Sequence, residues 1–188
     1  TFWLRNLLKN EAFKQKFVNR FQDHLNTTFE SERMLKHLYS MVNLYAPEID
    51  RHIKRWKRSK KRRAVHLGIM ERFALRRPEY VQDDLTEFFD LGDLIPISIT
   101  PPDHGTLVLN QYLDIKKTYK GQYFNGSKIV LQAYPNYGYR FSHWEGIKGD
   151  PMDHKVTVDL STYKSADIKP VFEVYENDIK GKIIFNEI

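Results

Sequence analysis

The spacing of apolar residues changes once along this chain, near Gly92, and that change limits what the chain can fold into. Before Gly92 the apolar positions recur every third or fourth residue, as in amphipathic helices. After it they recur every second residue, between clusters of Gly, Pro and Asn, as in strands joined by turns. The pattern predicts an α+β chain, with an N-terminal all-α helical subdomain followed by a small, mostly antiparallel β domain. Charge changes at the same place. Residues 1–92 carry 19 Lys and Arg against 12 Asp and Glu, whereas residues 93–188 carry 11 against 12. The expected organisation is therefore a helical part over 1–92, a β part over 93–175 and a terminal piece over 176–188.

Composition removes several classes. A 41% hydrophobic and 14% aromatic content is too high for a disordered chain. The absence of cysteine rules out disulfides, thiolate catalysis and zinc–thiolate sites. No apolar run is long enough to span a bilayer. The chain opens at Thr1 without Met or a signal peptide, and Phe2-Trp3-Leu4 already has the character of buried structure. It is expected to be a fragment of a longer protein.

The strongest helical stretch is Asn10–Phe29. Phe13, Phe17, Val18, Phe21 and Leu25 share one stripe, with Gln15, Asn19, Gln22, Asp23 and Asn26 opposite it. The expectation is a helix capped by Asn10 that buries its aromatic stripe against the elements that follow. Ser31 is the expected cap of the next helix. That helix should run to Lys57, kinked at Pro47, because Ile49, Ile53 and Trp56 stay in phase with Met34, Leu38, Val42 and Tyr45. A further helix is expected over Lys60–Arg76. Pro78 then suits the first position of another, which Gly92 should stop.

The order NEAFKQKFVNRF-x-D-x-LNTTF closely resembles the C-terminal part of the CotH spore-coat kinase family. The likeness continues in Ala46-Pro47-Glu48-Ile49, His52-Ile53, Arg55-Trp56, Arg72-Phe73-Ala74 and Arg77-Pro78-Glu79-Tyr80-Val81. The family is associated with atypical protein kinases acting on surface proteins. The resemblance implies that the nucleotide and metal residues lie upstream of the matched part, so no catalytic, cofactor or metal residue is assigned in this chain. ATP and magnesium would belong to an upstream kinase-like domain of the same polypeptide, which is the expected partner. The same resemblance implies a secreted or cell-surface location.

Six strands are expected, at Ile95–Thr100, Thr106–Leu109, Lys128–Ala133, Tyr139–Trp144, Lys155–Asp159 and Ala166–Glu173. Gly105-Thr106-Leu107-Val108, Tyr119-Lys120-Gly121, the run Gly126–Pro135, the run Gly138–Gly146 and Val171-Phe172 together look like a divergent internalin-type B-repeat. Such modules serve mainly as spacers or adhesion units. Leu131, Ala133, Phe141 and Trp144 are the expected core. Residues 182–188, KIIFNEI, resemble the opening strand of a lamin-tail-like domain cut short.

Two residue groups offer binding chemistry. Lys54, Arg55, Lys57, Arg58, Lys60, Lys61, Arg62 and Arg63 form the densest charge in the chain and are candidate polyanion contacts. The bland account makes the run a solvated face, with Arg51, Lys54, Arg55, Lys57 and Arg58 at a helix C-terminal end, where cations are favoured, and this account is preferred. No nucleic-acid motif supports the run, so nucleic acid is not an expected partner. Tyr137, Tyr139 and Trp144 are candidate stacking residues for a glycan or a surface protein. Strand alternation should place some of the β-domain aromatics in the core instead. None of the seven His shows paired metal-ligand spacing. Phe89-Asp90-Leu91-Gly92 mimics a kinase metal motif only superficially, and Asp83-Asp84 should simply face solvent. The expected role is non-catalytic: helical support for an upstream kinase domain, joined to a β spacer. The alternatives are a glycan- or protein-binding adhesion module and a polyanion binder.

Overall fold

A computed structural model describes residues 2–149 and 151–175; the lamin-tail-like strand expected beyond Lys180 lies outside the described residues. The architecture is α+β, with the helices first and the strands after them. Two compact units form. One contains the chain up to Leu94 together with Gly121–Ser127, and the other contains Ile95–Lys120 and the chain from Lys128 onward.

The helical unit comprises α1 (Phe2–Leu7), α2 (Glu11–Leu25), α3 (Ser31–Tyr45), α4 (Ile49–Trp56) and α5 (Lys60–Phe89), with a 3-10 turn at Ala46–Glu48 between α3 and α4. Asn10 caps α2 as expected, its side chain accepting from the Phe13 amide at 3.0 Å. Pro47 sits in the 3-10 turn and kinks the helical path without ending it. The path stops at Trp56, where Lys57 turns left-handed (φ 49°).

The helical expectations are corrected at three places. The first concerns Pro78, which does not open a new helix. It lies inside the 30-residue α5. A proline there cannot donate to the carbonyl four residues back, which is that of Ala74. Ser31 supplies the missing donor: its hydroxyl donates to the Ala74 carbonyl at 3.0 Å and lies 3.3 Å from that of Leu75. Ser31 is accordingly not a cap. The cap position of α3 is Glu30, without a side-chain cap bond. The second correction is at the end of α5, where Asp90 rather than Gly92 takes the left-handed stop (φ 52°), its amide donating to Thr86.

The third correction concerns α2. Its polar face is buried: Asn19 is 7% exposed, and Gln22 and Asp23 are each 1% exposed. The aromatic stripe is only half-buried, with the Phe17 ring 5.9 Å from Phe21 and 6.0 Å from Phe89. What covers the polar face is Gly121–Ser127. Asn26 takes both main-chain groups of Gln122, donating to its carbonyl at 3.0 Å and accepting from its amide at 3.1 Å. Gln15 donates to the Gly126 carbonyl at 3.4 Å. The Tyr123 hydroxyl donates to the Asp23 carboxylate. Phe124 joins Val18 and Leu85 in a small core, flanked by Phe21, Leu25, Val81, Phe89, Leu91 and Leu94. An amphipathic pattern locates the greasy face of a helix. It carries no information about a partner that presents backbone polar groups, and such a partner buries amides and carboxylates instead.

The β unit holds β1 (Leu94–Ile99), β2 (Gly105–Leu109), β3 (Leu113–Asp114), β4 (Tyr119–Phe124), β5 (Lys128–Pro135), β6 (Tyr139–Glu145), β7 (Lys155–Asp159) and β8 (Ala166–Val174). The last residues of β4 belong to the helical unit. The six expected strands are all present, and β3 and β4 are additional. One sheet has the order β4-β1-β8-β6 and the other β3-β2-β5-β7. β2 pairs antiparallel with β3 and β5, β5 with β7 and β6 with β8, whereas β1 and β8 run parallel. Alternate residues face inward: Ile95, Ile97 and Ile99 on β1, and Ile129, Leu131 and Ala133 on β5, are buried. Gly105 on β2 lies against the Phe172 ring of β8, where an added Cβ would stand 2.4 Å from a ring carbon. Only glycine lets the two sheets approach so closely at that point. Trp144 is 2% exposed and its indole N–H donates to the Asp153 carbonyl at 2.8 Å.

Candidate functional site

The helical unit exposes an apolar surface that its own residues do not cover. Met34, Leu38, Met41 and Tyr45 recur at four-, three- and four-residue intervals along α3, so they share one face. Ile69, Met70, Phe73 and Ala74 do the same on α5. The two helices are joined where the Ser31 hydroxyl meets the Ala74 carbonyl and where Tyr39 meets Glu71, and their apolar faces line a trough. Its wide part encloses about 910 Å³, bounded by Phe29, Met34, Leu38, Met41, Met70 and Phe73 among others. A second hollow of about 380 Å³ continues between Leu38, Met41, Tyr45, Ile49, Leu67 and Met70. The two share Leu38, Met41 and Met70, so they form one channel along α3.

No residue of α3 or α4 is fully buried. Phe73 is 61% exposed and Met70 52%. Isolated apolar residues at a surface are ordinary; a contiguous apolar face makes this trough the candidate interaction surface of the helical unit. Three of the four methionines of the chain line the trough. Their unbranched thioethers adapt to an occupant more readily than branched side chains do.

The rim of the trough is basic. Arg33 and His37 stand at the wide end, and His52 and Arg63 at the narrow end. Glu48 is the acid among the lining residues, and Arg51 pairs with it at 3.1 Å. Between α3 and α5, outside the trough lining, the Tyr39 hydroxyl donates to Glu71 at 2.6 Å, and this bond raises the tyrosine pKa above its ordinary value.

The narrow end opens at the turn that carries the basic run. Lys54 and Arg55 occupy the last turn of α4, where the helix dipole favours cations. Lys60, Lys61, Arg62 and Arg63 occupy the opposite situation. They form the first turn of α5, behind the Ser59 cap, with no acid in that turn. The helix-end account expected for the first part of the run holds for Lys54 and Arg55, and the new helix expected from Lys60 places these four at the opposite, positive helix end. Lys60 pairs with Asp50 at 2.7 Å, and the Arg55 guanidinium lies 5.5 Å from the Trp56 ring. Arg63 is half-buried, while Lys54, Arg55, Lys57, Arg58, Lys60, Lys61 and Arg62 are exposed.

The three candidate stacking residues do not form one platform. Trp144 is a core residue, so its ring cannot meet a ligand; its place in the alternation of β6 puts it inside. Tyr137 is fully exposed. Tyr139 is half-buried and stacks flat on His104, with centroids 4.1 Å apart. Asp83 and Asp84 are exposed on α5, and Arg77 lies 3.8 Å from Asp84. Among the described residues no group of three or more His, Cys, Asp or Glu could hold a metal ion. No described helix is long and apolar enough to cross a membrane.

Residues 1–81 match the family described as CotH kinase protein, and residues 96–172 match the divergent InlB B-repeat domain. The two resemblances carried by the sequence motifs are therefore shown, in the same order and over nearly the same spans. No curated protein and no solved structure gives a significant match.

Proposed function

We propose that this chain is the C-terminal, non-catalytic portion of a secreted or surface CotH-like protein. In this reading the helical unit backs an atypical kinase domain whose ATP and magnesium ligands lie upstream in the same polypeptide. The β unit acts as a spacer or adhesion module behind it. The observation that carries the reading is the open apolar trough between α3 and α5, within the stretch that matches the CotH family. A helical unit that served alone would be expected to cover such a face. Support in the second half comes from the match to a repeat module, which fits a role at the cell surface.

The test is calorimetric titration of ATP with magnesium into two proteins: the chain as given, and the chain extended at its N-terminus to the full CotH domain of its gene. Binding is expected only in the extended protein. Binding to the chain as given, or to neither, would overturn the proposal.

A further inference from the structure

The trough has a direction, and its direction specifies the occupant. We infer that it receives an amphipathic helix from the upstream part of the same CotH domain, apolar face inward, with Asp or Glu residues at the end that meets Arg63 and Lys57–Arg62. This rests on the functional reading above and adds the chemistry of the segment that docks.

Three observations carry it. The lining residues of α3 from Met34 to Tyr45 span roughly 16 Å at about 1.5 Å per residue, or three helical turns. Facing stripes of α3 and α5, lined with Met and Leu and open on one side, are the groove that accepts a helix through anchors at i, i+3, i+4 and i+7. The charges of the rim are unbalanced. Arg33 and Arg63 face the channel, and its lining acid, Glu48, is already paired with Arg51. At the narrow end Lys60–Arg63 sit at the positive end of α5 with no acid in that turn; Asp50 of α4 pairs with Lys60, which leaves Lys61, Arg62 and Arg63 to be met. Carboxylates delivered by an incoming segment would meet those charges and fix which way round the segment lies. The match to the CotH family across both walls of the trough makes the rest of that domain the occupant of choice, ahead of a lipid or a second copy.

The chain holds no cysteine, so Met70→Cys introduces a single thiol within it, in the middle of the trough. Its maleimide labelling rate is compared between the chain as given and the N-terminally extended polypeptide, with Tyr137→Cys as an exposed control. The expected result is labelling at least about tenfold slower in the extended protein for Met70→Cys, and unchanged for Tyr137→Cys. Carbodiimide coupling, which joins lysines to adjacent carboxylates, should then link Lys57, Lys60 or Lys61 to Asp or Glu of the upstream segment. Arg63→Glu should weaken both effects while leaving the helical circular dichroism unchanged.

Equal labelling in the two proteins would overturn the inference. So would protection without those lysine cross-links, or protection of the isolated chain by phosphatidylserine vesicles or by raised protein concentration. The two proposals fail separately. ATP binding in an extended protein whose trough stays open sinks the docking helix alone. A filled trough without ATP binding sinks the kinase reading alone.

Discussion

Ser31→Ala removes one hydroxyl, and its cost reports whether that hydroxyl sustains α5 across Pro78. In the wild type the Ala74 carbonyl has no amide four residues ahead to accept from, and Ala74 itself is 5% exposed. The Ser31 bond of 3.0 Å fills that gap. Losing it leaves a part-buried carbonyl unpaired, which costs about 1–2 kcal/mol, the lower part of the usual range because solvent reaches one side. Pro78→Ala supplies the decisive comparison, because it restores an amide that can donate to Ala74. In that background Ser31→Ala should cost less than about 0.5 kcal/mol, giving a coupling near 1 kcal/mol. Urea unfolding followed by far-UV circular dichroism would read the single change as a midpoint drop of roughly 0.5–1 M, for an m-value of about 2 kcal/mol/M. Equal costs with and without the proline would refute the reasoning.

Other perturbations follow from the same structure. Tyr123→Phe deletes the bond to the buried Asp23 and should destabilise the helical unit by about 1–3 kcal/mol in chemical denaturation; an unchanged midpoint would contradict the buried contact. Gln22 is 1% exposed, and neither its amide nitrogen nor its oxygen has a protein partner, so Gln22→Leu should be neutral or stabilising by about 1 kcal/mol; a loss above that would show the amide to be satisfied. Lys61→Glu places an acid in the first turn of α5 and should raise stability by roughly 0.3–1 kcal/mol at low salt, with the gain fading as salt rises. A loss of stability would restore the view of the run as an ordinary solvated face.

The alternation of Ile95, Ile97 and Ile99, and of Ile129, Leu131 and Ala133, made the strands legible, because a half-buried strand writes its burial directly into its sequence. Tyr119–Phe124 was harder to recognise. Its apolar residues are interrupted by Lys120, Gly121 and Gln122, and the side chains that end up inside belong to two different units. Pro78 is a related case. A local rule predicts a helix start there, and a serine 47 residues earlier overrides it through one long-range bond. The sequence holds many hydroxyls that could serve the carbonyl four residues before Pro78, and spacing does not choose among them. The basic run and the helix start at Lys60 were both legible, and together they place Lys60–Arg63 at a positive helix end. The trough could not be seen at all, since Met34, Leu38, Met41, Met70 and Phe73 have the spacing of an ordinary core. Spacing tells which residues want cover and does not tell whether the cover is encoded nearby.

The excursion of Gly121–Ser127 into the helical unit bears on how such a protein can be rearranged over time. A repeat that were a bead on a string could be duplicated, lost or exchanged at a single cut beside Gly92. Here that cut would strip Tyr123 and Phe124 from Asp23, Val18 and Leu85. Any substitute module would have to arrive with its own aromatic pair at the matching hairpin. Inheritance of the two halves is thereby tied together, and the first repeat after such a helical unit should tolerate shuffling far less than repeats further along a chain.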